Sequence, residues 1–359
     1  MFRAIIPLAN NIENLIFYKG EQPAPPTKKP NVLVIGYGWA GRAFCENIDR
    51  SKYDVNIVSP TSYFLNTPKL VQFPKLSYPR KLLTNNEVPI TGTLAEVLPT
   101  EKKITLKHNV YMPYDYLVLA VGSVPNTFGV KGAETCYFLK TLTDFGELNT
   151  LIRNSSDKMA TFEVIGGGPT GVEVAFELAA SGARVTLVEA APDILNGWNN
   201  VTKEYIHKEL KEAGVEVLVG SAVKEIGPKV IHTSTGTLPR NNTIWTSGVK
   251  APEIISGRNL NATNQYLQVD YINSVFAIGD IVACHHNKGH GPPTAQNAVQ
   301  QGKFLASYFN SGFAADHPTY KYKEFCKILH AKNSIYIEYH GTTYTIPKIL
   351  GWVLDKFIY

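Results

Sequence analysis

Residues 31–49 read NVLVIGYGWAGRAFCENID, and residues 162–180 read FEVIGGGPTGVEVAFELAA. Each stretch opens with an apolar, β-branched run of the kind that forms a buried parallel strand. Each then carries three glycines spaced GxGxxG: Gly36, Gly38 and Gly41 in the first, Gly166, Gly168 and Gly171 in the second. Each ends in a helical pattern, and in the second Val172, Ala175, Phe176 and Ala179 fall on one face. In such a unit the first glycine permits the tight turn, and the second lets the backbone approach a pyrophosphate. The third lets helix and strand pack closely. The helix N-terminus then offers N–H groups and the positive end of its dipole to the phosphates. One GxGxxG is a weak signal, because glycine-rich turns are common. Two copies in the same context predict a duplicated dinucleotide-binding architecture.

The strand after each unit sets how the ribose is recognised. It is expected over 55–59 in the first copy and 184–189 in the second, ending at Ser59 and Glu189. A carboxylate there accepts hydrogen bonds from both ribose hydroxyls and repels a 2′-phosphate, so Glu189 favours NADH over NADPH. Serine bonds a ribose less firmly, which makes Ser59 a departure from the usual fingerprint. Further strands are expected over 104–107, 116–121, 216–219, 230–233, 243–246 and 275–278, and a helix over 295–309. The fold class is therefore α/β, with two Rossmann-like dinucleotide-binding domains plus a short C-terminal segment.

Composition narrows the chemistry. The 359-residue chain is 44% hydrophobic and 18% charged, as a globular core requires, and its net charge of +5 is dispersed. A nucleic-acid binder carries a dense basic stripe, which this sequence lacks. Cys45, Cys136, Cys284 and Cys326 form no CxxC or CxxxxC pair, which argues against a dithiol relay, a zinc site and a disulfide scaffold. No apolar run is long enough to cross a bilayer. Residues 1–20 fit neither a secretory signal nor an Arg-rich transit peptide, and the proline-rich stretch 21–30 reads as an extended linker. His285, His286 and His290 share a polar stretch without the helical frame of a metal site, so a solvated loop is expected.

Three more features carry chemistry. Asp280 closes the apolar run VFAIGD, residues 275–280, where a carboxylate can bond a hydroxyl of a bound dinucleotide. PTAQ, residues 293–296, opens a helix whose first amides can stabilise negative charge. Glu173 lies in the first turn after the second glycine loop. It is either a dipole-stabilised surface acid or a carboxylate beside the bound nucleotide.

In order, the two glycine loops, YLVLAVGSVPN (116–126), IWTSGVKAPEI (244–254), and VFAIGD followed by PPTAQNAVQQG (292–302) resemble the two-dinucleotide-binding flavoprotein superfamily. SPTSYFLNTPKL (59–70), NTFGVKGAETCYFLKTLTD (126–144) and GGGPTGVEVAFELA (166–179) make the chain similar to type II, or alternative, NADH dehydrogenases over residues 31–312. The resemblance implies FAD at the first loop, with Ser59 near its ribose and Thr67, Pro68 and Leu70 near the flavin. Asp280 would bind the ribityl chain, and Ala295 and Gln296 would meet the ring. NADH would lie on Gly166, Gly168, Gly171 and Glu189, with Gly248 and Glu173 on the nicotinamide side. Gln296 and Gln300, in an A-Q-x-A-x-Q segment, match positions that the family places at the quinone mouth. The stretch 70–93 and the tail after 312 depart from the family pattern.

The implied activity is an FAD-dependent NADH:quinone oxidoreductase that pumps no protons. Its implied place is peripheral, on the mitochondrial inner membrane or another respiratory membrane, and otherwise cytoplasmic; a homodimer stays open. An NADH-dependent reductase of a protein carrier and an NADH-responsive flavoprotein sensor are the alternatives. The expected division is an extension and linker over 1–30, an FAD-binding domain over 31–145 with 265–312, an NADH-binding domain over 146–264, and a docking or interface segment over 313–359. From residue 320 on, a strand-like section precedes a short terminal helix; beginning at Pro347, that helix would gather Ile349, Leu350, Val353, Leu354 and Phe357 on one face, as an interfacial anchor or a packed helix.

Overall fold

The computed structural model describes residues 28–71, 83–84, 88–155, 160–284 and 289–350. Two parallel sheets organise them. The first runs, edge to edge, Val275–Ala277, Tyr116–Leu119, Asn31–Ile35, Asp54–Ser59 and Ile90–Thr91. Val32, Leu33 and Val34 in its central strand have no exposed surface, which explains their unbroken apolar run. The second sheet runs Glu216–Leu218, Arg184–Val188, Thr161–Ile165 and Asn242–Trp245, again all parallel. Each predicted strand is present to within two residues, and so is each predicted helix before residue 312.

Helix Trp39–Asn47 follows the first glycine loop and crosses helix Ala295–Asn310 at close range. The crossing is set by Gly302, where a Cβ would overlap the Ala40 carbonyl oxygen. Phe309, near the far end of the long helix, makes edge contacts with Phe44, Tyr53, Tyr116 and Phe276. These rings close the first core. Helix Pro169–Ala180 does the corresponding work in the second core, which also takes in helix Asn200–Glu212. Helix Leu142–Ser155 begins on a capping box: Asp144 accepts from the amides of Lys140 and Thr141, and Thr141 accepts from the amide of Asp144.

The chain passes between the two bodies at a short antiparallel pair, Val124–Pro125 with Val249–Lys250. Apolar contacts tie Ala133, Cys136 and Phe145 to the second sheet and Ala251, Ile255 and Leu260 to the first.

The strand-like section expected in the tail is present as a sheet. Lys327–His330, Ser334–Tyr339 and Thr342–Pro347 form a three-stranded antiparallel sheet. Leu329, Ala331 and Tyr336 bury themselves in the second core. Pro347 ends the last strand, and Lys348–Leu350 is a single 3-10 turn. The remainder of the expected amphipathic helix, with Val353, Leu354 and Phe357, lies outside the described residues.

Candidate functional site

Both glycine loops have the geometry that their spacing predicts. Gly36 and Gly166 have φ of +106° and +112°, a backbone region open to glycine. A Cβ at Gly36 would overlap the Ala120 carbonyl, and one at Gly166 would lie 2.7 Å from Ser247 Oγ. A Cβ at Gly41 would overlap the Gly36 carbonyl, and one at Gly171 that of Gly166, so helix and strand approach as closely as backbone allows. Gly38 and Gly168 are different: a Cβ there meets nothing within 4 Å. Each is the N-cap of its helix and offers no capping side chain. Open space thus lies beside each set of helix N-terminal amides, a setting that favours an anionic group.

Glu189 closes the second strand beside its loop. Its Oε2 accepts from the Gly167 amide at 2.5 Å and its Oε1 from Ala191 at 2.7 Å. Two donors orient the carboxylate and leave lone pairs for ribose hydroxyls. Ser59 occupies the matching place in the first body, nearly buried, its hydroxyl 3.4 Å from the Thr61 amide. Trp39, inside the first loop, reaches Thr67 Oγ1 at 3.4 Å and packs edge-on against Phe64, which sets the turn Thr67–Val71 against the loop. That turn carries Thr67 and Pro68, but Leu70 is fully enclosed in the second core and is a packing residue.

Asp280 reaches the first loop through its neighbour. Gly279 has φ of +84°, and a Cβ on it would lie 3.0 Å from Ala40 Cβ. The Asp280 carboxylate accepts from Ser123 Oγ at 2.6 Å, with Lys140 Nζ 3.9 Å away. Ser123 and Lys140 lie in stretches whose motif value was read from the sequence, but their side chains gave no separate signal. Burial, aided by the Asp280 charge, pushes the nearby Cys284 thiol up to about 11; burial alone dominates at Cys136, also about 11. Both thiols stay protonated at neutral pH, which suits packing and not redox exchange.

Helix Ala295–Asn310 starts on Thr294, whose hydroxyl accepts from the Asn297 amide at 3.2 Å. Ala295 and Gln296 form its first turn. Gln296 Oε1 accepts from the Phe325 amide at 3.0 Å and the Tyr322 hydroxyl at 3.2 Å. Gln300 pairs with Lys323 in both directions, at 2.8 and 3.1 Å. The two glutamines therefore clamp the strand-like segment that leads to the tail sheet. The next residue, Gln301, is the fully buried one. Its Oε1 accepts from the Gly279 amide at 2.6 Å, and its Nε2 donates to the His290 carbonyl at 3.0 Å. Asn297 donates to the carbonyls of His290 and Pro292 and accepts from the Tyr320 hydroxyl at 2.6 Å. Burial raises the Tyr320 phenol above its ordinary range, keeping it a donor. His290 is only 8% exposed, so this part of the histidine stretch is packed where a solvated loop was expected; His285 and His286 fall outside the described residues.

Glu173 faces the tail sheet. Its Oε1 accepts from the His330 amide at 2.8 Å. Burial around the carboxyl, partly opposed by that bond and by Lys348, raises its pKa to about 8. Lys348 Nζ in turn bonds Glu177 at 2.8 Å and the Ala331 carbonyl at 2.9 Å. Gly248, with φ of +69°, sits at the crossing pair, its carbonyl taking the Asn126 amide at 3.2 Å.

Residues 30–302 match the family model described as pyridine nucleotide-disulphide oxidoreductase. The chain belongs to this family. The external alternative NAD(P)H-ubiquinone oxidoreductase B2 of Arabidopsis thaliana mitochondria is 29% identical over 73% of the chain and 56% of its own length. The internal enzyme A1 of the same plant is 30% identical over 82% of the chain and 69% of its own length. The chain thus spans little more than half the length of several curated relatives. The structure of NDH2 from Plasmodium falciparum in complex with NADH covers 92% of the chain, and the chain covers 95% of it. Its TM-score is 0.78 at 21% identity, which shows a shared fold.

Proposed function

We propose that this chain is an FAD-dependent NADH:quinone oxidoreductase. The observation that carries this reading is the pair of glycine loops with matched geometry on two separate sheets, each leaving open space over its middle glycine. The named activities of the alternative NAD(P)H-ubiquinone oxidoreductases support the choice of substrates. When bound, FAD supplies the two-electron chemistry that links a nicotinamide donor to a quinone.

The chain's own groups bind, orient and exclude water. Gly36, Gly38 and Gly41 would hold the FAD pyrophosphate, and Ser59 would bond its ribose. Asp280, oriented by Ser123, would accept from the ribityl chain. The first amides of helix Ala295–Asn310 would favour negative charge beside them. Gly166, Gly168 and Gly171 hold NADH, and Glu189 accepts from its ribose. Gly248 and Glu173 border the nicotinamide side. Gln296 and Gln300 hold the segment that borders the acceptor site. Catalysis on this frame is positioning and electrostatics, with no side-chain nucleophile.

No helix among the described residues is long and apolar enough to cross a membrane. The relatives are named as mitochondrial. We place this chain at the surface of a respiratory membrane, with the tail as the docking element. Loading the purified chain with FAD and following NADH oxidation by a short-chain ubiquinone tests the reading. Turnover that requires both flavin and quinone supports it; turnover only with a protein carrier overturns the quinone assignment.

A further inference from the structure

The turn Thr127–Val130 joins the two bodies, and its local chemistry is unusual. The Val130 amide donates to the Thr127 carbonyl at 2.9 Å, and both central residues have positive φ: +52° at Phe128 and +73° at Gly129. This is the type I′ pattern, which favours Asn-Gly because both positions lie in the left-handed region. The sequence supplies Phe-Gly. A phenyl group gains nothing from that backbone, and it is costly there for a side chain of this size.

Nor does the core use the ring, which is 66% exposed. The Phe128 backbone is nevertheless held in place. The Phe128 amide donates to Asn126 Oδ1 at 3.0 Å, and the Asn126 carbonyl accepts from the Trp245 indole at 2.9 Å. One side of the ring rests on Gly248, where an added Cβ would lie 3.3 Å from its Cζ. Gly248 directly follows Ser247, whose amide nitrogen lies 2.9 Å from where a Gly166 Cβ would be. The ring therefore stands near the second glycine loop, against Gly248 on one side and largely exposed elsewhere.

We propose that Phe128 is a binding residue of the second dinucleotide site, its ring a stacking surface for a planar ring of the bound nicotinamide nucleotide. This rests on the reading of the second loop as the NADH site. An aromatic face presented from a hydrogen-bonded turn at a nucleotide site contributes stacking at a reduced ordering cost. Backbone strain at a functional position is the pattern expected when local stability is given up for a contact with a ligand.

The test is NAD+ titration of the FAD-loaded protein, followed by tryptophan fluorescence, with a thermal melt of each variant. NAD+ does not reduce the flavin, so binding is read apart from turnover. Phe128→Asn supplies the residue that the turn favours. The expected result is affinity lowered about tenfold with a Tm equal to or above that of the parent. Phe128→Tyr keeps the ring and should bind within about twofold of the parent. Unchanged affinity in Phe128→Asn overturns the proposal. So does a loss of affinity accompanied by a lower Tm, because the ring would then serve the fold. A parent protein that binds no NAD+ overturns the assignment of the second loop, and this inference with it.

Discussion

The backbone amide of Gly279 donates to Gln301 Oε1 across 2.6 Å, inside the first core and one residue before Asp280. Gly302, the next residue of that helix, is where the long helix touches the first glycine helix. Two consecutive positions thus fix both the helix crossing and the approach of Asp280 to the first glycine loop, the proposed flavin site. Gln301→Leu would leave the buried Gly279 amide without its partner, costing about 1–3 kcal/mol, while the His290 carbonyl would keep its bond from Asn297. The expected outcome is a lower Tm and less flavin absorbance per polypeptide after purification. Full flavin content at an unchanged Tm would remove this role.

The glycines separate packing from binding. Gly41→Ala and Gly171→Ala place a methyl against a carbonyl in the same loop, so each should displace its helix and weaken its own dinucleotide. Gly38→Ala and Gly168→Ala meet no atom within 4 Å. Those two should fold with a near-parental Tm. Gly168→Ala should raise the NADH KM by roughly tenfold while flavin content holds, because the added methyl occupies the phosphate cradle. Steady-state kinetics beside flavin absorbance checks the pair.

Glu189→Ala should raise the NADH KM and ease the use of NADPH, since the carboxylate that repels a 2′-phosphate is gone. It also removes the acceptor for the amides of Gly167 and Ala191, so some loop order is lost as well. The ratio of kcat/KM for the two nucleotides isolates the charge effect. An unchanged ratio would remove the ribose assignment.

Glu173 gives stability a pH dependence with a defined sign. Its pKa is raised from an ordinary 4.5 to about 8, mainly by burial, so the folded chain holds the proton more tightly than the unfolded one. The contribution is full below the ordinary value and is lost as pH rises toward 8. Between about pH 5 and pH 9 the Tm should therefore fall in the parent and fall less in Glu173→Gln. Glutamine still accepts from the His330 amide and carries no charge beside Glu177. Parallel Tm profiles for the two proteins would contradict the shift.

The sequence was most informative where a backbone constraint admits one residue. Six glycines, with Ser59 and Glu189 at matched strand ends, could be placed because each spacing maps to one geometry. It was less informative where a one-residue step rotates a side chain around a helix. Gln296 and Gln300 stood out by motif, yet both hold the segment around Lys323, and Gln301 is the buried amide. A signal existed: Gln301 is three residues after Ala298 and four before Leu305, both core positions. In the tail the sequence shows a strand-like section, but the antiparallel pairing of 327–347 and its packing on the second core are non-local and were not legible.

Anaerobic stopped-flow on the FAD-loaded chain tests the central claim most directly. Mixing with NADH should bleach the flavin band, and a second mix with a short-chain ubiquinone should restore it rapidly. Fast bleaching with no recovery from any quinone would contradict the quinone assignment, and no bleaching at all would contradict the two-site account itself.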